Sequence, residues 1–483
     1  MQTIIDEIKK LYTDFAGAIA PLTGLEKIPQ SGSNRMYFRV LTATGSCIAT
    51  YNDNIRENST FVHFSRHFRA KGCPVPDIYA INDEFTIYLQ EDFGDLSLLG
   101  ELEKQGHNDR VYAFFRQSLE QLARLQILGD EGLDYAQTIT SREFGKQAIL
   151  SDLLYFKYYF LDTLQIPYDK EKLIDDFEAL STYLTHVDHK YFMFRDFQSR
   201  NIMLREDKVH FIDFQGGMKG AIQYDVASLL WQAKAELSDE WKDSLLEDYM
   251  DVVEGLLDKK IDRTRFISQY NGYVLIRLLQ VLGAYGFRGL FERKAHFLIS
   301  IPLALRNFKW FLGNKQVGIV MPEFERLLGL MVRDQIIARF EPVQADEHTL
   351  LVVHINSFSY KMGLPPDKSG NGGGFIFDCR GLLNPGRVEE FRHLTGRDKP
   401  VKDYLEQRTR MPDFLNSAFD IVDISVEDYI RRGFESLQVS FGCTGGQHRS
   451  VYAADALARH LRNKFHVRID LHHIEQEAKN WDN

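Results

Sequence analysis

Phe194-Arg195-Asp196-Phe197-Gln198-Ser199-Arg200-Asn201, followed by Val209-His210-Phe211-Ile212-Asp213-Phe214, is the stretch that decides how this chain reads. An Asp, an Asn five positions on and a second Asp closing a β-rich run are the groups that phosphoryl transfer from ATP requires. One carboxylate accepts the proton of the attacking hydroxyl, while the Asn and the second carboxylate hold the Mg²⁺ that neutralises phosphate charge. Asp196 fits the first role, and Asn201 and Asp213 fit the second. R-D-x-x-x-x-N alone arises by chance; an I-D-F segment delivered by a following hairpin makes the pattern specific.

At 483 residues the chain is too long for one ordinary core and is expected to form two or three domains. A hydrophobic content of 44% with 26% charged residues is that of a globular, water-soluble protein. Cys47, Cys73, Cys379 and Cys443 have neither C-x-x-C spacing nor the density of a disulfide scaffold, so a reducing compartment and no zinc site are expected. The first residues place Asp6 and Glu7 before Lys9 and Lys10 and lack a continuous apolar run. That excludes a secretory signal or membrane anchor there and points to the cytoplasm. The net charge of −10, shared by both ends of the chain, argues against a broad grip on nucleic acid.

Working outward, residues 1 to 20 read as an amphipathic helix. Ser31-Gly32-Ser33-Asn34-Arg35 falls between short apolar runs typical of strands, where it is either a loop over nucleotide phosphates or a plain hairpin turn. Glu57 to Ala70 reads as a helix, Phe85 to Gln90 as a strand, and Glu91-Asp92-Phe93-Gly94 as a hinge whose backbone receives adenine. Helical periodicity over Asp109–Leu128, much of Phe144–Leu184 and Glu240–Leu312 puts the catalytic hairpin inside a mostly helical lobe. Asp225, at the start of the helix after Gly220-Ala221-Ile222, is placed to brace the catalytic loop, with Arg195 as further structural support. A helix over Glu323–Arg339 ends before Pro342 and a new strand begins at Thr349. The boundary is therefore drawn between 1–342 and 343–483.

Tyr88-Leu89-Gln90-Glu91-Asp92-Phe93-Gly94, Arg195 to Met203, Ile212-Asp213-Phe214-Gln215 and Tyr224 to Leu230 together resemble the aminoglycoside phosphotransferase superfamily. The resemblance is strongest to its cytoplasmic amino-sugar kinases, which act on N-acetylmuramate and N-acetylglucosamine. It implies an α+β protein-kinase-like bilobal fold, with a small β-rich lobe and a large helical lobe. It also implies transfer of the ATP γ-phosphate to a sugar hydroxyl, the anomeric one included, in cell-wall sugar recycling. Two departures stand out: Phe194 replaces a His, and Ser46–Tyr51 lacks the lysine that many kinases use on the α/β-phosphates. The second keeps open a non-catalytic regulator, and Glu57 reads as either a metal- or phosphate-positioning group or a solvated helix residue.

In the C-terminal part, Leu437–Phe441 reads as a strand, Gly442 to Ser450 as a loop and Val451–Leu461 as a helix. Small residues at a helix N-terminus make an anion site, to which His448 and Arg449 add side-chain donors. The loop also fits C-x-x-G-x-x-R-S, which makes a phosphatase centred on Cys443 a third reading, although Gly442 replaces the usual His and no general-acid loop is evident.

Ser357 to Pro365, Phe377 to Pro385, Thr395 to Val401 and Gly442 to Tyr452 match, in order, the C-terminal domain of the RNase adaptor RapZ. That resemblance implies a separate α/β domain that senses an amino-sugar phosphate through Ser357, Lys361, Arg380, Asn384, Cys443, Thr444, Gly445, Gly446, His448, Arg449 and Ser450. Small RNA is a further partner implied by the resemblance, weakened here by the absence of a basic tail after Arg468, and a homo-oligomer is compatible with it. Gln447 stands in place of a common Lys, and the family's own G-x-x-x-x-G-K-[ST] domain is replaced by the kinase-like part.

Overall fold

A computed structural model describes residues 2–16, 19–28, 35–292, 295–341, 343–367, 369–370 and 372–479. The phosphate-loop expectation for Ser31, Gly32, Ser33 and Asn34 therefore lies outside the described residues. The chain divides into two units, residues 1–287 with 303–337, and residues 288–302 with 338–483. The segment 288–302, read from sequence as part of the helical lobe, thus clusters with the second unit; its first residues lie in a wider π turn, Gly286–Phe291, that ends the preceding α-helical geometry.

The first unit opens with a five-stranded antiparallel sheet in the order β1-β2-β3-β5-β4. The strands are β1 (Leu22–Ile28), β2 (Met36–Thr42), β3 (Ser46–Tyr51), β4 (Ile78–Ile81) and β5 (Ile87–Glu91). Alternation along each strand separates two faces. Phe38, Val40, Cys47, Ala49, Ile87 and Leu89 bury against Ile8 and Tyr12 of the helix Gln2–Ala16. Their neighbours Tyr37, Arg39, Ile48, Tyr88 and Gln90 face a cavity. Strand β5 starts two residues later than the sequence pattern suggests. The Asn82 side-chain oxygen accepts from the N–H groups of Thr86 and Ile87, at 2.9 and 2.8 Å, which closes a turn with Phe85 at φ +56°.

The rest of this unit is helical around two hairpin-like pairs. β6 (Lys190–Met193) pairs with β9 (Met218–Ala221), and β7 (Ile202–Arg205) with β8 (Lys208–Phe211), both antiparallel. Phe194, Phe197, Phe211 and Phe214 are fully buried and meet edge to face, with ring centroids 5.0–6.2 Å apart. Through this cluster Phe194 anchors the loop. The helix expected over Glu323–Arg339 is two pieces, Pro322–Met331 and Asp334–Ile337, because Val332 leaves helical geometry at ψ 11°. Among the described residues one segment, Arg263–Phe291, is long and apolar enough to cross a membrane by length and composition, and more than half of its most apolar window is buried within the protein.

The second unit has a four-stranded parallel sheet, β11-β12-β10-β13, made of β10 (Val352–Ser359), β11 (Phe375–Asp378), β12 (Ser436–Cys443) and β13 (Arg468–His473). Val353, Ile355, Val439 and Phe441 build its core with Leu457 and Leu461 of the helix Arg449–Phe465. From β10 the chain crosses towards β11; from its neighbour β12 it crosses the other way, to β13. The carboxyl ends of β10 and β12 thus flank a topological switch point, the place where open parallel sheets bind ligands.

Candidate functional site

Asp225 fixes the catalytic loop. Wholly buried in the first turn of the helix Gln223–Leu230, its carboxylate accepts from the N–H of Phe194 at 2.7 Å, the N–H of Arg195 at 2.9 Å and Gln126 Nε2 at 2.8 Å. Burial pushes this carboxyl up to about 7, against the opposing pull of those three donors. Arg195, at φ +78°, turns inward: its guanidinium pairs with Asp152 at 3.0 Å and lies 4.3 Å from the Phe144 ring centroid. These inward turns leave the next residue, Asp196, facing outward.

Asp196 is one-third exposed. Gln198 Nε2 and Arg277 Nη2 donate to its Oδ1, the latter at 3.3 Å, and Arg200 Nη2 donates to Oδ2 at 3.2 Å. Asn201 Nδ2 bonds the Asp196 carbonyl at 2.9 Å. Burial alone would raise the Asp196 carboxyl, but Arg277, Arg200 and the hydrogen bonds outweigh it and hold the group below the usual carboxylate range. Arg277 was not singled out from sequence. It comes from 81 residues away, nine-tenths buried on the helix Arg263–Tyr285, and the signal for it was a lone charge between Arg265 and Arg288 in an otherwise uncharged run.

Asp213, at φ +70° and one-third exposed, lies with Asn201 on the wall of a 370 Å³ cavity that also contains Glu91, Asp92 and Phe93. The three sequence-predicted groups and the predicted hinge are therefore brought to one place. β3 carries no lysine; of the arginines on the cavity wall, Arg35, just before β2, reaches Asp213. Its Nη1 lies 3.0 Å from Asp213 Oδ1 and its Nη2 lies 2.9 Å from Glu57 Oε1. Glu57 is thus an ion-pair partner, on the first turn of the helix Ile55–Ala70. At the hinge, Asp92 binds Arg39 at 2.7 Å, Ser46 Oγ at 2.7 Å and the Gly94 N–H at 2.8 Å. Its carboxyl is partly buried, which would raise it, but these donors hold it low. The Phe93 ring stacks on His210 at 4.2 Å.

Mg²⁺ habitually takes one or two protein oxygens and completes its shell with phosphate and water. An Asn and an Asp opening on one cavity, without a closed cage, fit that habit. Among the described residues no group of three His, Cys, Asp or Glu forms a metal site elsewhere.

In the second unit, Lys361, Arg380, Thr444 and Gly445 are exposed at the switch point. Arg380 lies 3.8 Å over the Tyr360 ring and pairs with Asp378, and Ser359 Oγ donates to the Thr444 carbonyl at 2.8 Å. Gly446 adopts φ +66°, where a Cβ would lie 2.3 Å from Glu475. Several expected ligands are engaged internally. Arg449 Nη1 donates to the carbonyls of Arg380 and Leu382, at 3.1 and 2.7 Å, and His448 Nε2 bonds the Phe391 carbonyl at 2.8 Å. Ser357 Oγ meets His473 Nδ1 at 2.8 Å, Ser450 Oγ meets Cys443 Sγ at 3.2 Å, and Asn384 Oδ1 caps the Gly386 N–H at 3.2 Å. Arg449 Nη1 and His448 Nε2 thus serve loop carbonyls, which need donors once buried. Cys443 is buried, which would raise its thiol, but the Ser450 hydroxyl and the N–H groups of Ser450 and Gly445 pull it below the ordinary value. Cys443 as a residue is 3% exposed, and Arg449 Nη1 beside it is turned to loop carbonyls. All four cysteines are free.

Residues 24–257 match the phosphotransferase enzyme family, and residues 351–477 match the RapZ C-terminal domain. The chain carries a phosphotransferase-family domain followed by a RapZ C-terminal domain. A nucleotide-binding protein of Fervidobacterium nodosum is 37% identical over 125 residues, 26% of this chain and 43% of that one. One from Bifidobacterium adolescentis is 41% identical over 123 residues, 26% of this chain and 38% of that one. The chain thus spans less than half the length of these relatives. Among solved structures, a choline/ethanolamine kinase family protein from Mesorhizobium loti aligns with TM-score 0.44 at 12% identity, covering 68% of this chain and 98% of that one. The amicoumacin kinase hAmiN, in complex with AMP-PNP, Ca²⁺ and Ami, aligns with TM-score 0.45 at 14% identity, covering 67% and 96%.

Proposed function

We propose that the first unit is an ATP-dependent kinase of an amino sugar of the N-acetylglucosamine or N-acetylmuramate kind, acting in cytoplasmic recycling of cell-wall sugars, and that the second binds an amino-sugar phosphate. The observation that carries the kinase is the convergence of Asp196, Asn201 and Asp213 beside a cavity bounded by the hinge. Asp196, kept ionised by Arg277 and Arg200, orients the sugar hydroxyl and accepts its proton. Asn201 and Asp213 would hold Mg²⁺, whose charge offsets that of the transferring phosphoryl group. Arg35 supplies a phosphate-facing cation in place of the absent β3 lysine.

The acceptor class follows from charge. Two arginines flank the catalytic carboxylate, so a polycationic aminoglycoside meets repulsion where an N-acetylated, neutral or anionic sugar does not. Turnover with Mg-ATP is expected for N-acetylglucosamine or N-acetylmuramate and to be about 10²-fold weaker with an aminoglycoside. The reverse order would refute the assignment. The absent lysine favours a second reading, a non-catalytic nucleotide-binding regulator, and no turnover with any acceptor would install it. For the second unit, calorimetry is expected to show glucosamine-6-phosphate binding that weakens about tenfold in Lys361→Ala; no heat with either chain removes the sugar-phosphate assignment.

A further inference from the structure

Among the described residues three arginines line the nucleotide cavity, and they differ in what holds them. Arg35 is tied to Asp213 and Glu57 at 3.0 and 2.9 Å, and Arg39 to Asp92 and Asp95 at 2.7 and 2.8 Å, beside the hinge. The Arg200 side chain, 60% exposed, makes one hydrogen bond among the described residues, from Nη2 to Asp196 Oδ2 at 3.2 Å, which leaves most of its N–H donors unused. Its backbone is nonetheless fixed on both sides. Gln232 Oε1 accepts from the N–H and the hydroxyl of Ser199, at 3.1 and 2.7 Å. Asn201 sends its N–H to the Gln198 carbonyl at 2.8 Å and its side-chain amide to the Asp196 carbonyl at 2.9 Å. Of the three arginines, Arg200 is the one that also reaches Asp196. With the acceptor hydroxyl on Asp196 and the triphosphate against Asn201 and Asp213, the phosphoryl group crosses the gap that Arg200 spans.

We propose that Arg200 is a catalytic residue of the transfer: keeping Asp196 on one N–H, its guanidinium bonds an oxygen of the phosphoryl group in flight with another. The inference rests on the kinase reading and deepens it by naming a further member of the site. In that step the sugar oxygen bonds the γ-phosphorus as the bond from phosphorus to the β,γ-bridging oxygen breaks. The hydroxyl proton passes to Asp196, and ADP leaves with the bonding electrons. The Arg200 contact is completed only once the phosphoryl group has moved towards Asp196, so it stabilises the transition state and not bound ATP. A planar fork that is always charged suits simultaneous contact with a carboxylate and a phosphoryl oxygen. The same guanidinium also helps to keep Asp196 ionised, and the two effects are separable by pH.

The test is steady-state kinetics across pH for the full chain, Arg200→Ala and Arg200→Gln, with Mg-ATP and N-acetylglucosamine or N-acetylmuramate. Arg200→Ala is expected to lower kcat about 10²-fold on the pH plateau while KM for ATP stays within a few-fold. Arg200→Gln, which keeps a donor for Asp196 but not the charge, is expected to lose as much. An arginine that served Asp196 alone would, on removal, let that carboxyl rise and move the acid limb of the profile to higher pH, yet leave the plateau where it was. A plateau kcat recovered in either variant, or a raised KM for ATP with kcat unchanged, would overturn the role of Arg200 and leave the kinase reading standing. No turnover by the unsubstituted chain with either sugar would overturn both.

Discussion

Asp196→Asn lowers kcat for sugar phosphorylation by about 10³-fold and leaves ATP affinity within a few-fold of its starting value. The carboxylate stands outside the cavity wall formed by Asn201, Asp213 and the hinge, so nucleotide contacts survive its loss. An asparagine keeps the size and an acceptor for one of Gln198 and Arg200, which bond different oxygens, but cannot take up a proton. Since a base contributes in the transition state, kcat and kcat/KM fall together. Steady-state kinetics with a parallel nucleotide titration checks this. A variant that keeps a tenth or more of the original kcat would remove Asp196 from the role of base.

Asp225→Ala has the largest expected effect on stability. It strands the N–H groups of Phe194 and Arg195 and the Gln126 amide in a fully buried site. Each abandoned donor costs about 1–3 kcal/mol, so a loss of about 3–5 kcal/mol is expected in denaturant unfolding. The loop that carries Asp196 loosens with it, and activity falls at temperatures where the variant is still folded. The same residue makes stability depend on pH. Its folded carboxyl is raised to about 7, above an unfolded value near 3.8. The folded state therefore holds its proton more tightly, and the stability Asp225 contributes is full below about pH 4 and lost as pH rises through about 7. At 1.36 kcal/mol per pH unit the window spans roughly 4 kcal/mol. Asp225→Asn, which does not titrate, should lack this slope. Parallel slopes for the two chains across pH 4–7 would show the carboxyl to be ionised throughout.

What could be read from the sequence was local. Asp196, Asn201 and Asp213 lie within 18 positions, and their spacing is set by one loop and one tight hairpin, so the motif carries its own geometry. Asp225 was legible for a related reason: the strand β9 returns beside β6, and the helix that follows must start under the loop. Arg277 was not, because it reaches the site through packing across 81 positions and nothing local marks a buried arginine except its apolar neighbours; Arg35 stood in the loop read as lying over phosphates, but its pairing with Asp213, 178 positions away, was not legible. In the C-terminal loop the residue types suggested a ligand, and the internal bonds of two of them were not legible. Arg449 and His448 saturate carbonyls of Arg380, Leu382 and Phe391, a demand set by where segment 380–391 happens to pass.

Phosphorus NMR on the full chain with Mg-ATP and N-acetylglucosamine or N-acetylmuramate tests the central claim most directly. The account predicts a new phosphomonoester resonance that grows as the γ-phosphate resonance of ATP declines, only when sugar is present and not with Asp196→Asn. An ATP spectrum that stays unchanged with both sugars, or that yields inorganic phosphate alone, would contradict it.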